Sequence, residues 1–145
     1  MPMFDRNLLC AGPVRFKMSP SFTEYIFWSA PTFVEHYDGE IGTRRLASVM
    51  TNGDILSEIG PQNVFDSSDV LKIIFSISQF SPEDVAENGS FIQKNSCYLI
   101  FAQDNKRRKM FIVTIERDEQ NVWNLGYEDE AHLAWNEGVR IITKY

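Results

Sequence analysis

Residues 96–117, SCYLIFAQDNKRRKMFIVTIER, carry the clearest structural reading in the chain. Ser96 to Gln103 and Lys109 to Arg117 read as two β-strands around the polar stretch Asp104-Asn105-Lys106-Arg107-Arg108. Strand alternation places Tyr98, Ile100 and Ala102 on one side and Cys97, Leu99 and Phe101 on the other. Both sides are apolar in mid-strand, so this hairpin is expected inside a sheet that is covered, at least in part, on both faces.

Downstream, Gln120 to Leu125 reads as a third antiparallel strand after a turn at Asp118-Glu119. Glu128 to Asn136 reads as a short acidic helix closed by Gly138, and Val139 to Tyr145 alternates as a last strand. Upstream, Phe4 to Cys10 and Val14 to Met18 suggest a strand pair around Ala11-Gly12-Pro13. Ser21-Phe22-Thr23-Glu24 fits a capping box, with the helix ending before Pro31. Thr32-Phe33-Val34-Glu35 repeats that pattern and predicts a second short helix, stopped near Asp38-Gly39. Thr43 to Met50 reads as helix ended by Thr51-Asn52-Gly53, and Asp54 as the cap of a further turn through Ile59 before Gly60-Pro61.

Asp66-Ser67-Ser68-Asp69 is a helix start, followed by Val70, Ile73, Ile74 and Ile77 at helical spacing, although that β-branched run also suits a strand. Ser81-Pro82-Glu83-Asp84 predicts another helix, closed at Asn88-Gly89. The chain of 145 residues is of single-domain length, and no linker or repeat divides it. The expected fold is therefore a single α+β domain, 1–145, with a helical N-terminal two thirds packed on a small, mainly antiparallel sheet formed largely by the C-terminal third.

Composition restricts function. The net charge is −6, which disfavours a general nucleic-acid binder. No basic leader followed by an apolar run opens the sequence, and no stretch approaches the ~20 apolar residues of a spanning helix, so a cytoplasmic location is expected. Cys10 and Cys97 are far apart and outside any CxxC pair, which predicts reduced thiols. Phosphate-binding, dinucleotide-binding, serine-hydrolase and zinc-protease signatures are absent from the sequence, and no cofactor is expected.

Three sets of residues are candidates for chemistry or binding. Glu128 and His132, four apart on the expected acidic helix, would share a face as two metal ligands do, with Glu35 or His36 as a third. Cys97 with His132 and a carboxylate would make a thiol triad. The basic run Lys106-Arg107-Arg108-Lys109 holds four of the fourteen basic residues. Beside Phe101, Phe111 and Trp123 it would suit single-stranded nucleic acid, provided Arg44, Arg45 or Arg117 joined it in one patch.

The acidic residues make a more persistent pattern. Glu116, Asp118, Glu119, Tyr127, Glu128, Asp129, Glu130, Trp135 and Glu137 mix carboxylates with aromatic anchors, the composition of a surface that docks on a basic protein. In size, acidity and lack of catalytic motif the chain resembles immunity and antitoxin proteins. That resemblance implies a non-catalytic acidic inhibitor of a basic toxin such as a nuclease. A small α+β enzyme or ligand-binding domain using His132, Glu128 or Cys97 is the alternative, and nucleic-acid binding through 106–109 a second.

Overall fold

A computed structural model describes residues 3–12, 14–78, 95–106, 108–129 and 134–144. The expected helix at 81–89 therefore lies outside the described residues, as do residues 130–133 of the one expected at 128–136.

The hairpin is the centre of the molecule. Strands β6 (Cys97–Asp104) and β7 (Lys109–Arg117) pair antiparallel from Cys97↔Glu116 to Asp104↔Lys109. Strand β8 (Trp123–Asp129) continues the sheet beside β7, and β2 (Phe16–Met18) pairs with β8 in parallel at its edge. On the other side, β6 offers its start to β9 (Arg140–Lys144) and its end to the two-residue β5 (Phe65–Asp66), both parallel. Strand β4 (Ile41–Arg45) then pairs antiparallel with β9. A separate two-stranded ribbon joins β1 (Met3–Asp5) to β3 (Phe33–Glu35).

The helical N-terminal two thirds expected from sequence is not what forms. Strand makes up 39% and helix 29% of the described residues, and the seven-stranded mixed sheet draws on the whole chain. Residues 8–10, expected in a strand, fall in the short helix α1 (Leu8–Ala11). Residues 33–35 and 43–45, expected in helices, are strand. These strands find their hydrogen bonds in partners remote in sequence (Val34 opposite Phe4, Arg44 opposite Ile141), and such contacts override local propensity.

Caps form close to the expected places but at other residues: Ser19 rather than Ser21 opens the first expected helix, and Thr51, expected as a helix stop, rather than Asp54 caps the helix that runs to Ile59. Ser19 caps α2 (Pro20–Phe22), its hydroxyl accepting from Phe22 N–H at 3.1 Å, with Pro20 at the first position. The chain continues as a π turn, Thr23–Phe27, in which Trp28 N–H donates to Thr23 O at 3.0 Å. Helix α3 (Asn52–Ile59) starts on a reciprocal capping box. Asp54 N–H donates to Thr51 Oγ1 at 3.1 Å, and Thr51 N–H donates to Asp54 Oδ2 at 3.3 Å. It stops at Gly60, whose φ of +84° is costly for any residue with a Cβ. Asp66 caps the 3-10 turn Ser67–Asp69, and α4 (Val70–Ser78) follows as its spacing predicts.

The alternation read from the hairpin is realised as two cores. On the α4 side of the sheet, Tyr98, Ile100, Ala102, Phe111, Val113 and Ile115 pack with Ile73, Ile74 and Ile77 of α4 and with Phe22 and Ile26. On the α3 side, Leu99, Phe101, Ile112 and Ile141 pack with Leu46, Ile55, Ile59 and Trp135. At roughly 1.5–3 kcal/mol for each large apolar side chain fully buried, these two layers are the main favourable term in folding. No helix among the described residues is long and apolar enough to cross a membrane.

Candidate functional site

The cover on the α3 side is partial. It reaches β6, β9 and the start of β7 at Ile112, whereas the same face of the rest of β7 and of β8 and β2 carries Thr114, Glu116, Asn124, Gly126, Glu128 and Lys17, none of them buried. No described helix lies over these residues. The central pair on this face is small. Gly126 faces Thr114, and a Cβ at position 126 would collide with Thr114 Oγ1.

Glu116 and Glu128 are exposed on this face. Glu116 lies opposite Asn124, four residues before Glu128 along β8, so the two residues are offset by roughly 13 Å along the strands at ~3.3 Å per residue. Asp118 and Glu119 rim the face at the β7–β8 turn. Asp118 Oδ1 accepts from Gln120 N–H at 2.9 Å and Val122 N–H at 3.1 Å. These backbone donors, Val122 foremost, hold its carboxyl below the usual range. Asp118 therefore builds the turn as well as adding charge. Glu137 is exposed in the turn before β9, at the same end of the sheet, since Arg140 lies beside Tyr98 and Glu116 beside Cys97.

The sheet separates the other candidates. Glu128 and Asp129 are in β8 rather than on a helix, so the four-residue spacing between Glu128 and His132 does not place two ligands on one helical face. Glu130 and His132 lie outside the described residues, and the described residues hold no group of three or more potential ligands suited to a metal ion. Trp135 is core: it is 8% exposed, pairs with Met50 through two backbone hydrogen bonds, and donates from Nε1 to Asn52 Oδ1 at 2.7 Å.

Tyr127 points to the α4 side. Its ring stacks on Phe111 at 5.0 Å between centroids and meets Tyr25 at 5.1 Å. There it forms part of the floor of a cleft of about 920 Å³ between the β1–β3 ribbon, the Asp66–Lys72 segment and the β6–β7 hairpin tip. Neither Cys97 nor Glu128 lines that cleft.

Cys97 stands opposite Glu116 at the start of β6. Burial pushes its thiol up to about 12, and the nearby Glu116 carboxylate adds to the shift. A thiol in that position is protonated near neutral pH and lacks the electropositive surroundings of a nucleophile. The basic tip does not gather the arginines that nucleic-acid binding would require. Arg117 is buried at the far end of β7, eight residues or roughly 26 Å from Lys109. Arg44 and Arg45 lie on β4, outside β9 and level with Leu99 and Tyr98. Phe101 belongs to the α3-side core, and Trp123 is buried beside Arg117.

No protein-family model, curated protein or solved structure matches this chain. The functional reading therefore rests on the geometry alone. The cleft is the feature that sequence reasoning missed. Its lining is drawn from segments scattered from Met3 to Tyr127.

Proposed function

We propose that this chain is a non-catalytic binding module that docks a basic protein on the open, acidic face of β2, β8 and β7. One observation carries the reading: the α3 side of the sheet is capped over half its width, while the other half presents Glu116 and Glu128 among small polar neighbours, with Asp118 and Glu119 at its rim. An exposed sheet face of this kind is suited to a macromolecule rather than to a small substrate, which binds in a concave site. Fixed carboxylates raise the association rate with a positive partner without needing buried ion pairs. The elevated Cys97 thiol disfavours nucleophilic chemistry on the same face.

The more specific form of the proposal is an immunity- or antitoxin-type inhibitor whose target is a basic toxin such as a nuclease. A nuclease must hold polyanionic substrate in a basic cleft, and an acidic face can obstruct such a cleft without making or breaking a bond. The test is charge reversal. Glu116→Lys with Glu128→Lys should abolish capture of a basic protein from the source cells at low salt. Asp38→Lys with Glu40→Lys, equally exposed but in the segment joining β3 to β4, should leave capture intact. Equal losses in the two variants would mean that net charge, and not this face, drives binding.

A further inference from the structure

The cleft on the α4 side is independent of the acidic face, and its lining has a chemistry of its own. Five large apolar side chains among the described residues are exposed, and three of them, Met3 at 54%, Tyr25 at 47% and Phe33 at 56%, line this cleft. A core has no use for rings left half in water, whereas a ligand site does. The floor is the ring ladder Phe111–Tyr127–Tyr25, contributed by β7, β8 and the π turn. The wider turn of a π segment, a feature frequent at functional sites, carries Tyr25. Arg6 fastens the end of that segment: its guanidinium donates to Ala30 O at 2.7 Å and lies 5.3 Å from the Phe27 ring centre and 5.2 Å from that of Trp28.

The opposite wall is charged. Lys72, Lys106 and Lys109 line it together with Asp66 and Asp104, and Glu35 lies on the ribbon side. The two aspartates are directed into their own turns. Asp66 accepts from Ser68 N–H at 2.9 Å, from Ser68 Oγ at 2.8 Å and from Asn105 Nδ2; Asp104 Oδ1 accepts from Lys106 N–H at 2.9 Å. Lys72 pairs with Asp69 at 3.6 Å, but Lys106 and Lys109 have no ion-pair partner among the described residues. Lys106 and Lys109 thus bring two uncompensated positive charges to the cleft of a chain whose net charge is −6.

We infer that this cleft binds an amphipathic organic anion, its apolar body against Tyr25, Phe33 and Tyr127 and its anionic group at Lys106 and Lys109. The volume of about 920 Å³ is that of a site for one small molecule, within the usual range of roughly 300–1,000 Å³. Two sources share this chemistry: a mononucleotide, with a stacking base and a phosphate, and a fatty acid, with an acyl chain and a carboxylate.

The probe is 8-anilinonaphthalene-1-sulfonate, a fluorescent aromatic anion, titrated into the full chain beside its uncharged relative N-phenyl-1-naphthylamine. The sulfonate should bind saturably at one site. Lys106→Glu with Lys109→Glu should weaken it by about tenfold or more, as reversal of two charges near an anion implies, and change the neutral probe by less than about twofold. Tyr25→Ala should weaken both probes, with the circular dichroism of every variant unchanged. Adenosine monophosphate or dodecanoate should displace the bound sulfonate, and whichever succeeds identifies the source. Non-saturable binding, unchanged sulfonate affinity in the lysine variant, or displacement by neither competitor would overturn the assignment.

Discussion

Replacing Trp135 with alanine separates a core role from a surface role for a residue that the sequence allows in either. The side chain is 8% exposed and packs in the layer of Leu46, Ile55, Ile59 and Ile141. Truncating a ring of that size in a core typically costs about 3–5 kcal/mol, from lost apolar transfer plus the cavity left behind. The 2.7 Å hydrogen bond from Nε1 to Asn52 Oδ1 supplies about 1 kcal/mol of that. Trp135→Phe, which keeps most of the ring volume, should therefore lose roughly 1–2 kcal/mol. For a domain of this size, Trp135→Ala should lower Tm by roughly 10–15 °C. Urea denaturation followed by far-ultraviolet circular dichroism measures both variants, with an unchanged slope confirming that the same surface is exposed on unfolding. Because Trp135 underlies the capped half of the α3 side, partner association by the folded fraction should be unchanged. A loss below about 1 kcal/mol for Trp135→Ala would refute the burial argument and return this ring to the list of surface anchors.

Two further outcomes follow from the positions of titrating groups. Cys97, held at about 12 by burial and Glu116, should react with iodoacetamide near pH 8 on the order of 10²–10³ times more slowly in the native chain than in urea; comparable rates would show an accessible thiolate. Asp118 is depressed by the N–H groups of Val122 and Gln120, and Asp66 by Ser68 and Asn105. A depressed carboxyl stabilises the fold above its unfolded value of 3.8, and that contribution disappears as pH falls through the lower folded value. Acid titration of stability should therefore be shallower for Asp118→Asn than for the wild type as pH falls from about 3.8 towards the lower folded value, and parallel curves over that interval would remove Asp118 from the account.

What the sequence revealed and what it concealed divide along the range of the interactions. The β6–β7 hairpin was legible because each strand is apolar on both sides, and burial on both sides followed. Helix α4 was legible because Asp66 supplies a cap and the isoleucines recur on one face. In contrast, β3 and the second half of β4, from Thr43, carry local signals of helices. Thr32-Phe33-Val34-Glu35 has the letters of a capping box, but Phe33–Glu35 instead pair with Met3–Asp5 about thirty residues away. Ile41–Arg45 are strand because β9 lies alongside. The acidic cluster was legible as composition but not as a surface. Strand geometry in β8 sends Tyr127 to one side of the sheet and Glu128 to the other, a division that the expected helix concealed. The cleft was not legible at all, because its walls meet only after residues from 3 to 127 have converged.

The acidic face stands or falls by its association kinetics. The basic protein captured at low salt should be purified and mixed with the wild-type chain and with the Glu116→Lys, Glu128→Lys variant in stopped flow over a range of ionic strength. The wild-type association rate should fall steeply with salt, and the variant should start about tenfold slower at low salt, with the two curves converging as screening removes the difference. Superimposable curves for wild type and variant, or a rate indifferent to salt, would contradict docking on the open face of β2, β8 and β7.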